Sequence, residues 1–137
     1  MKKFARIIGT GSYLPPRIIT NIELEKTLDT TDEWITSRTG IKERRVVDRE
    51  STCDLALEAS KRALEMAEMS ASEIDLIILA TTTPDKIFPA TATMLQNQIG
   101  ATCPAFDLQA VCAGFVFALT TAQQYIENCA AKNVLVV

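Results

Sequence analysis

The stretch best equipped for chemistry is Ala105-Phe106-Asp107-Leu108-Gln109-Ala110-Val111-Cys112-Ala113-Gly114-Phe115. It reads as a short strand, a tight turn carrying a cysteine, and a helix that starts directly behind that cysteine. Ala110, Ala113 and Gly114 are small enough to allow a sharp bend and to let another molecule approach the sulfur. A thiol at a helix N-terminus meets unpaired backbone N–H groups and the positive end of the macrodipole, both of which stabilise an anion. The thiolate is the nucleophilic form, so the spacing points to covalent catalysis by Cys112. The competing reading is a buried cysteine serving as a small hydrophobe, the common state of a free thiol.

A second constellation surrounds the only tryptophan. Trp34 precedes Arg38 by one helical turn, so ring and guanidinium share a face. A flat ring beside a guanidinium suits a nucleotide, one stacking on the base and the other meeting phosphate. A tryptophan packed on the core with Arg38 laid over it fits the spacing equally well. Arg38, Lys42, Arg44, Arg45 and Arg49 stand against Glu43 and Asp48, a balance that a solvated surface also explains.

The cysteines, at 53, 103, 112 and 129, form no C-x-x-C pair, and the sequence contains no histidine. Neither a zinc site nor a disulfide framework is expected. The imidazole that most often serves a nucleophilic thiol is missing as well. A net charge of −3 leaves no nucleic-acid footprint on the chain as a whole. No run approaches the roughly 20 apolar residues of a membrane span. The charged start, Met1-Lys2-Lys3-Phe4-Ala5-Arg6, leads only into Ile7-Ile8 before Gly9, so it does not read as a signal peptide, and the expected compartment is the cytoplasm.

The elements that must position these residues follow from pattern. At 137 residues the chain is one domain at most, with 47% hydrophobic residues to build a core. Residues 4–13 read as a strand entering a loop; Gly9-Thr10-Gly11 lacks the third glycine and following helix of a phosphate loop and reads as a turn. Thr20-Asn21-Ile22-Glu23 and Thr30-Thr31-Asp32-Glu33 have capping-box spacing and predict short helices over about 22–28 and 32–38, the second closed by Gly40. A strand over 42–47 sends Arg44 and Arg45 to opposite faces. Ser51 with Asp54 caps a helix running to about residue 68, whose apolar stripe is Leu55, Ala59, Ala63 and Met66. The unbroken apolar run over 74–81 predicts a fully buried, parallel strand. A loop carrying Phe88-Pro89, a helix over 91–99 ending at Gly100, the strand and turn around Cys112, a helix over about 113–128 and a strand over 133–137 complete the order. Strands and helices in alternation give an α/β layered sheet. The first two turns of the last helix are apolar on every side, which predicts burial on every side and places Cys112 at the floor of a pocket. A chain that stops inside a buried-type strand reads as one part of something larger.

Taken together, Gly9-Thr10-Gly11-Ser12-Tyr13-Leu14-Pro15, Asp32-Glu33-Trp34-Ile35, Arg38-Thr39-Gly40-Ile41, Ala80-Thr81-Thr82, Pro104-Ala105-Phe106-Asp107 and Cys112-Ala113-Gly114-Phe115 resemble the beta-ketoacyl-[acyl-carrier-protein] synthase III family. The resemblance runs in order along essentially the whole chain. It implies a thiolase-like fold, five layers α/β/α/β/α built from two related halves, of which residues 1–137 would be the partial N-terminal domain bearing the nucleophile, without the C-terminal half. It implies that Cys112 is acylated by acetyl-CoA or a similar short acyl-CoA and condensed with malonyl-acyl carrier protein, with no bound prosthetic group and no metal. Thr30, Trp34 and Arg38 match positions that hold the adenine end of coenzyme A. Phe88 matches a residue that reaches the partner's acyl pocket in the family's homodimer. The histidine, asparagine, second oxyanion donor, second adenine-site arginine and carrier-protein patch of the family lie in the other half. Gln109 and Val111 depart from the family's run of small residues before the cysteine, which implies different packing there. Alternatives are a condensing enzyme of secondary metabolism, or a non-catalytic folding or interaction domain; the 137 residues alone are expected to be inactive.

Overall fold

A computed structural model describes residues 4–137; the Met1-Lys2-Lys3 start on which the leader reading depends lies outside the described residues. The described residues divide into two compact units, Leu14–Glu50 and the rest of them.

The smaller unit is a two-stranded antiparallel ribbon with two helices. Strand β1 (Arg17–Thr20) pairs with β2 (Glu43–Val46), with Arg17 opposite Val46 and Thr20 opposite Glu43. Strand β1 has no counterpart in the sequence reading, because four residues give periodicity too little length to register. Helix α1 (Asn21–Glu25) starts at Thr20, whose hydroxyl accepts from the Glu23 amide at 3.2 Å. Helix α2 (Asp32–Thr39) is capped by Thr31 rather than Thr30: the Thr31 hydroxyl accepts from the Trp34 amide at 3.1 Å. The box expected at Thr30 does not form: the cap stands one residue later, and the Asp32 amide donates to the Glu25 carboxylate. Gly40 closes α2 at φ 71, where a side chain would be strained. Arg44 and Arg45 do take separate partners, Arg44 donating to the Asn21 side chain and Arg45 to the Pro15 carbonyl at 3.4 Å.

The larger unit is a three-stranded parallel sheet between helical layers. Its order is β4 (Ala105–Leu108), β3 (Leu76–Ala80), β5 (Val134–Val136), so β3 is central, as its unbroken apolar sequence requires. Alternate β3 side chains serve two cores. Ile77 and Leu79 pack with Cys53 and Ala56 of α3 (Thr52–Met66) and with Ala92 and Leu95 of α4 (Thr91–Ile99). Leu76 and Ile78 pack with Ala118 and Ala122 of α5 (Gly114–Glu127).

Ser51 and Asp54 form the expected capping box on α3. The core face of this helix is Cys53, Ala56 and Ser60 with Leu57 and Leu64, one position removed from the predicted stripe. The predicted face is occupied differently. A Cβ on Gly9 would stand 2.4 Å from the Ala63 carbonyl oxygen, and one on Gly11 2.2 Å from that of Ala59. Thus Gly9-Thr10-Gly11 is neither phosphate loop nor turn but a backbone laid against the backbone of α3, which only glycine permits. No strand is assigned to the described part of 4–13. Thr10 closes the contact, its amide and hydroxyl meeting the Met66 sulfur at 3.3 and 3.4 Å.

Candidate active site

Cys112 lies just beyond the carboxyl end of β4, where open parallel α/β sheets place their ligands. The Thr81 amide, at the end of β3, donates to the Leu108 carbonyl at 3.2 Å and ties the two strand ends together. The chain then turns sharply. Val111 takes φ 48, an uncommon conformation for a β-branched residue and one concentrated at functional sites. Residues Val111–Ala113 form a single 3-10 turn, closed by Ala113 N–H to Ala110 C=O at 3.0 Å and by Gly114 N–H to Val111 C=O. The Cys112 amide precedes both bonds and is left without an acceptor inside the turn. Helix α5 begins two residues later at Gly114, which is buried, and a Cβ there would meet Ala80 Cβ at 3.4 Å. The turn is therefore held by the sheet on one side and a helix start on the other.

The expected buried shaft is not formed among the described residues. Cys112 is exposed, and so are Val111, Phe115, Val116 and Phe117. Only the Gly114, Ala118 and Ala122 stripe of α5 meets the sheet, so an all-round apolar sequence here has one buried face. Nor do the described residues enclose Cys112 as a core hydrophobe. Cys53 and Cys103 are the buried thiols, and desolvation raises the pKa of both. Cys129 is exposed after the end of α5.

Two carboxylates to which the sequence reading assigns no role organise the elements around this turn. Asp107 of β4 accepts from the Thr91 and Ala92 amides at 2.9 and 2.7 Å, capping α4 from the face of the sheet on which that helix packs. Asp85 accepts from the Thr52 and Cys53 amides at 2.7 and 2.8 Å, a second cap on α3. The buried Thr91 hydroxyl accepts from the Asp85 amide at 3.3 Å. Asp107 carried a usable signal, being an acid inside a strand of apolar residues; Asp85 sat in a polar loop and carried none. Asp85 fixes the base of the loop bearing Phe88, whose ring is 88% exposed.

Trp34, Arg38 and Thr30 belong to the smaller unit. The Arg38 guanidinium lies 4.8 Å from the Trp34 ring centroid, a cation–π pair, and the indole is 53% exposed, so it is not packed as a core residue. The Thr30 hydroxyl is buried without a hydrogen-bond partner. Trp34 and Arg38 are thus brought together, while Cys112 and Phe88 belong to the larger unit. Among the described residues no group of three or more Cys, Asp or Glu side chains is placed to hold a metal ion, and no helix is long and apolar enough to cross a membrane.

A parallel sheet between helices, with a cysteine on a strand-turn-helix at its carboxyl edge, is the fold of the thiolase-like condensing enzymes. The particular likeness is to beta-ketoacyl-[acyl-carrier-protein] synthase III. The family model for 3-oxoacyl-[acyl-carrier-protein] synthase III matches residues 106–137, the segment from β4 through β5. The chain is 70% identical over all of its 137 residues to the beta-ketoacyl-[acyl-carrier-protein] synthase III of Vesicomyosocius okutanii, covering 44% of that protein. Among solved structures, 3-oxoacyl-[acyl-carrier-protein] synthase III from Aquifex aeolicus superposes with a TM-score of 0.94 at 54% identity, over 96% of this chain and 43% of that one. The priming beta-ketosynthase of the R1128 polyketide pathway gives 0.95 at 39% identity, over 98% and 41%. The chain therefore spans less than half the length of the relatives it matches.

Proposed function

We propose that these residues are the nucleophile-bearing, N-terminal part of an initiating condensing enzyme, one that joins acetyl-CoA or a similar short acyl-CoA to malonyl-acyl carrier protein at the start of type II fatty-acid synthesis. The Cys112 thiolate attacks the thioester carbonyl, the tetrahedral intermediate collapses, and coenzyme A leaves as its thiolate, with the acyl group on the Cys112 sulfur. Malonyl-acyl carrier protein then loses carbon dioxide, and the carbanion so formed attacks the acyl-cysteine. Expulsion of the Cys112 thiolate gives the ketoacyl-acyl carrier protein. The free amide of Cys112 supplies one oxyanion donor. Trp34, Arg38 and Thr30 hold the adenine end of coenzyme A, and Phe88 limits the acyl pocket of a partner in a cytoplasmic homodimer. The apolar faces of α5 are the surface on which the remainder of such an enzyme packs.

The observation that carries this reading is the exposed Cys112 on a strained turn at the carboxyl edge of the sheet, immediately ahead of a buried helix start. Incubated with acetyl-CoA, a longer protein containing this sequence and the remainder of such an enzyme should gain one acetyl mass by intact-protein mass spectrometry, and its Cys112→Ala variant should gain none. An unmodified wild-type protein of that longer kind, with native circular dichroism, removes Cys112 as the nucleophile. The 137 residues alone should release no ketoacyl product, because the acid–base partners of the family are absent from the sequence; product formed by the purified chain would refute that. The likeness to a polyketide priming enzyme favours one second reading, condensation in secondary metabolism. A longer protein containing this sequence and using malonyl-CoA in preference to malonyl-acyl carrier protein would support it.

A further inference from the structure

Helix α2 carries the Trp34–Arg38 pair, yet little apolar packing holds it. It has eight residues, and Ile35 is its one buried side chain. Single-residue burial fixes neither the rotation nor the axial position of so short a helix. Those degrees of freedom are set instead by the side chain of Asn21, at the start of α1, which is 1% exposed. Its amide nitrogen donates to Asp32 Oδ1 at 2.7 Å and to the Ile41 carbonyl at 2.7 Å. Asp32 is the first residue of α2, and Ile41 follows the closing Gly40, so one side chain holds both ends of the helix. The amide has two N–H groups, and these two bonds use them. Thr36, at 3.3 Å from the same nitrogen, turns its hydroxyl to the same Asp32 Oδ1 at 3.2 Å and so joins the network from within α2. On the other side the Arg44 guanidinium donates to Asn21 Oδ1, and the Asn21 backbone amide donates to the Lys42 carbonyl at 3.2 Å, which locks the network to β2.

We propose that Asn21 is the positioning residue of the adenine subsite: by bracing both ends of α2 against β2, it fixes the stacked Trp34 and Arg38 in the geometry that receives a purine nucleotide. This rests on the adenine reading given above for Trp34 and Arg38, but the bracing itself does not. A fully satisfied buried polar network rigidifies what it connects, and loss of one member leaves the others unpaired. Asn21 needs no contact with ligand to act in this way.

Two readouts separate the bracing from the subsite. In the ligand-free 137-residue chain, the Arg38 side-chain protons should carry an upfield ring-current shift from Trp34, and Asn21→Ala should move them toward random-coil positions while resonances of the sheet unit stay in place. Adenosine 3′,5′-bisphosphate, titrated against fluorescence of the only tryptophan, should bind Asn21→Ala more weakly by about tenfold or more, a change of about 1.4 kcal/mol in binding free energy. The rate of Cys112 modification by iodoacetamide should not change, whereas general destabilisation would alter it too. If wild-type chain binds no nucleotide while Asn21→Ala still scatters the Arg38 shift, the adenine reading falls and the bracing role stands. If Asn21→Ala keeps both the shift and the affinity, the proposal is overturned. Should Asn21→Ala unfold the smaller unit, Arg44→Met, which removes only the donor to Asn21 Oδ1, should reduce the ring-current shift in a folded chain; an unchanged shift there also overturns it.

Discussion

Cys53 opens α3 with its thiol fully enclosed, and burial, aided by the carboxylates of Asp85, Asp54 and Asp107, pushes it up from 9.0 to about 11. The folded chain therefore holds this proton more tightly than the unfolded chain. The resulting stability is fully present below pH 9.0 and is lost as pH rises through about 11. Urea midpoints should fall across that interval, and Cys53→Ala, less stable at neutral pH, should show a flatter profile. Parallel profiles would contradict this assignment. The same enclosure sorts the thiols by reactivity. Ellman's reagent should titrate Cys112 and Cys129 rapidly in the native chain, and Cys53 and Cys103 only on unfolding. A third fast thiol would show that the core around α3 opens. On the acid side, the backbone amides of Asn133 and Lys132 hold Asp75 below the usual carboxylate range, so its contribution disappears as pH falls through that lowered value.

Elements are joined here by carboxylates that reach helix starts from elsewhere in the chain. Asp107→Ala removes two charge-assisted bonds from the first turn of α4 and should cost about 2 kcal/mol in denaturant unfolding, with Asp107→Asn losing less. An effect below about 0.5 kcal/mol, the size of an ordinary surface substitution, would mean that solvent caps α4 just as well. Helices α3 and α4 were legible in the sequence because Ser51-x-x-Asp54 and Gly100 are local signals with local causes. The side of α3 that faces the core was not. Alanine, serine and cysteine can line either a core or a close backbone crossing, and only the path of Gly9-Thr10-Gly11 over Ala59 and Ala63 decides which. Strand β1 and the one-residue displacement of the α2 cap were hidden for a related reason, since each depends on a partner distant in sequence: β2 for the strand, and Glu25 for the Asp32 amide.

For the molecule as a whole, apolar surface remains open on the larger unit at Phe115, Val116 and Phe117 of α5 and at Ile87 and Phe88. Patches of this kind drive association. Light scattering should show species larger than monomer that grow with concentration, and Phe117→Asp should reduce them; a clean monomer at every concentration would count against the patch.

The sequence by itself determined the alternation of elements, the central buried strand, the helix ends at Gly40 and Gly100, and a cysteine held between a strand and a helix. Each of these follows from periodicity or backbone sterics acting over a few residues. Only the tertiary structure decided that Cys112 is exposed, that Trp34 stacks with Arg38 outside a core, and that Asn21, Asp85 and Asp107 bind the elements together. Burial and hydrogen-bond partnership belong to pairs of residues far apart along the chain, and a one-dimensional pattern carries no record of which pairs meet.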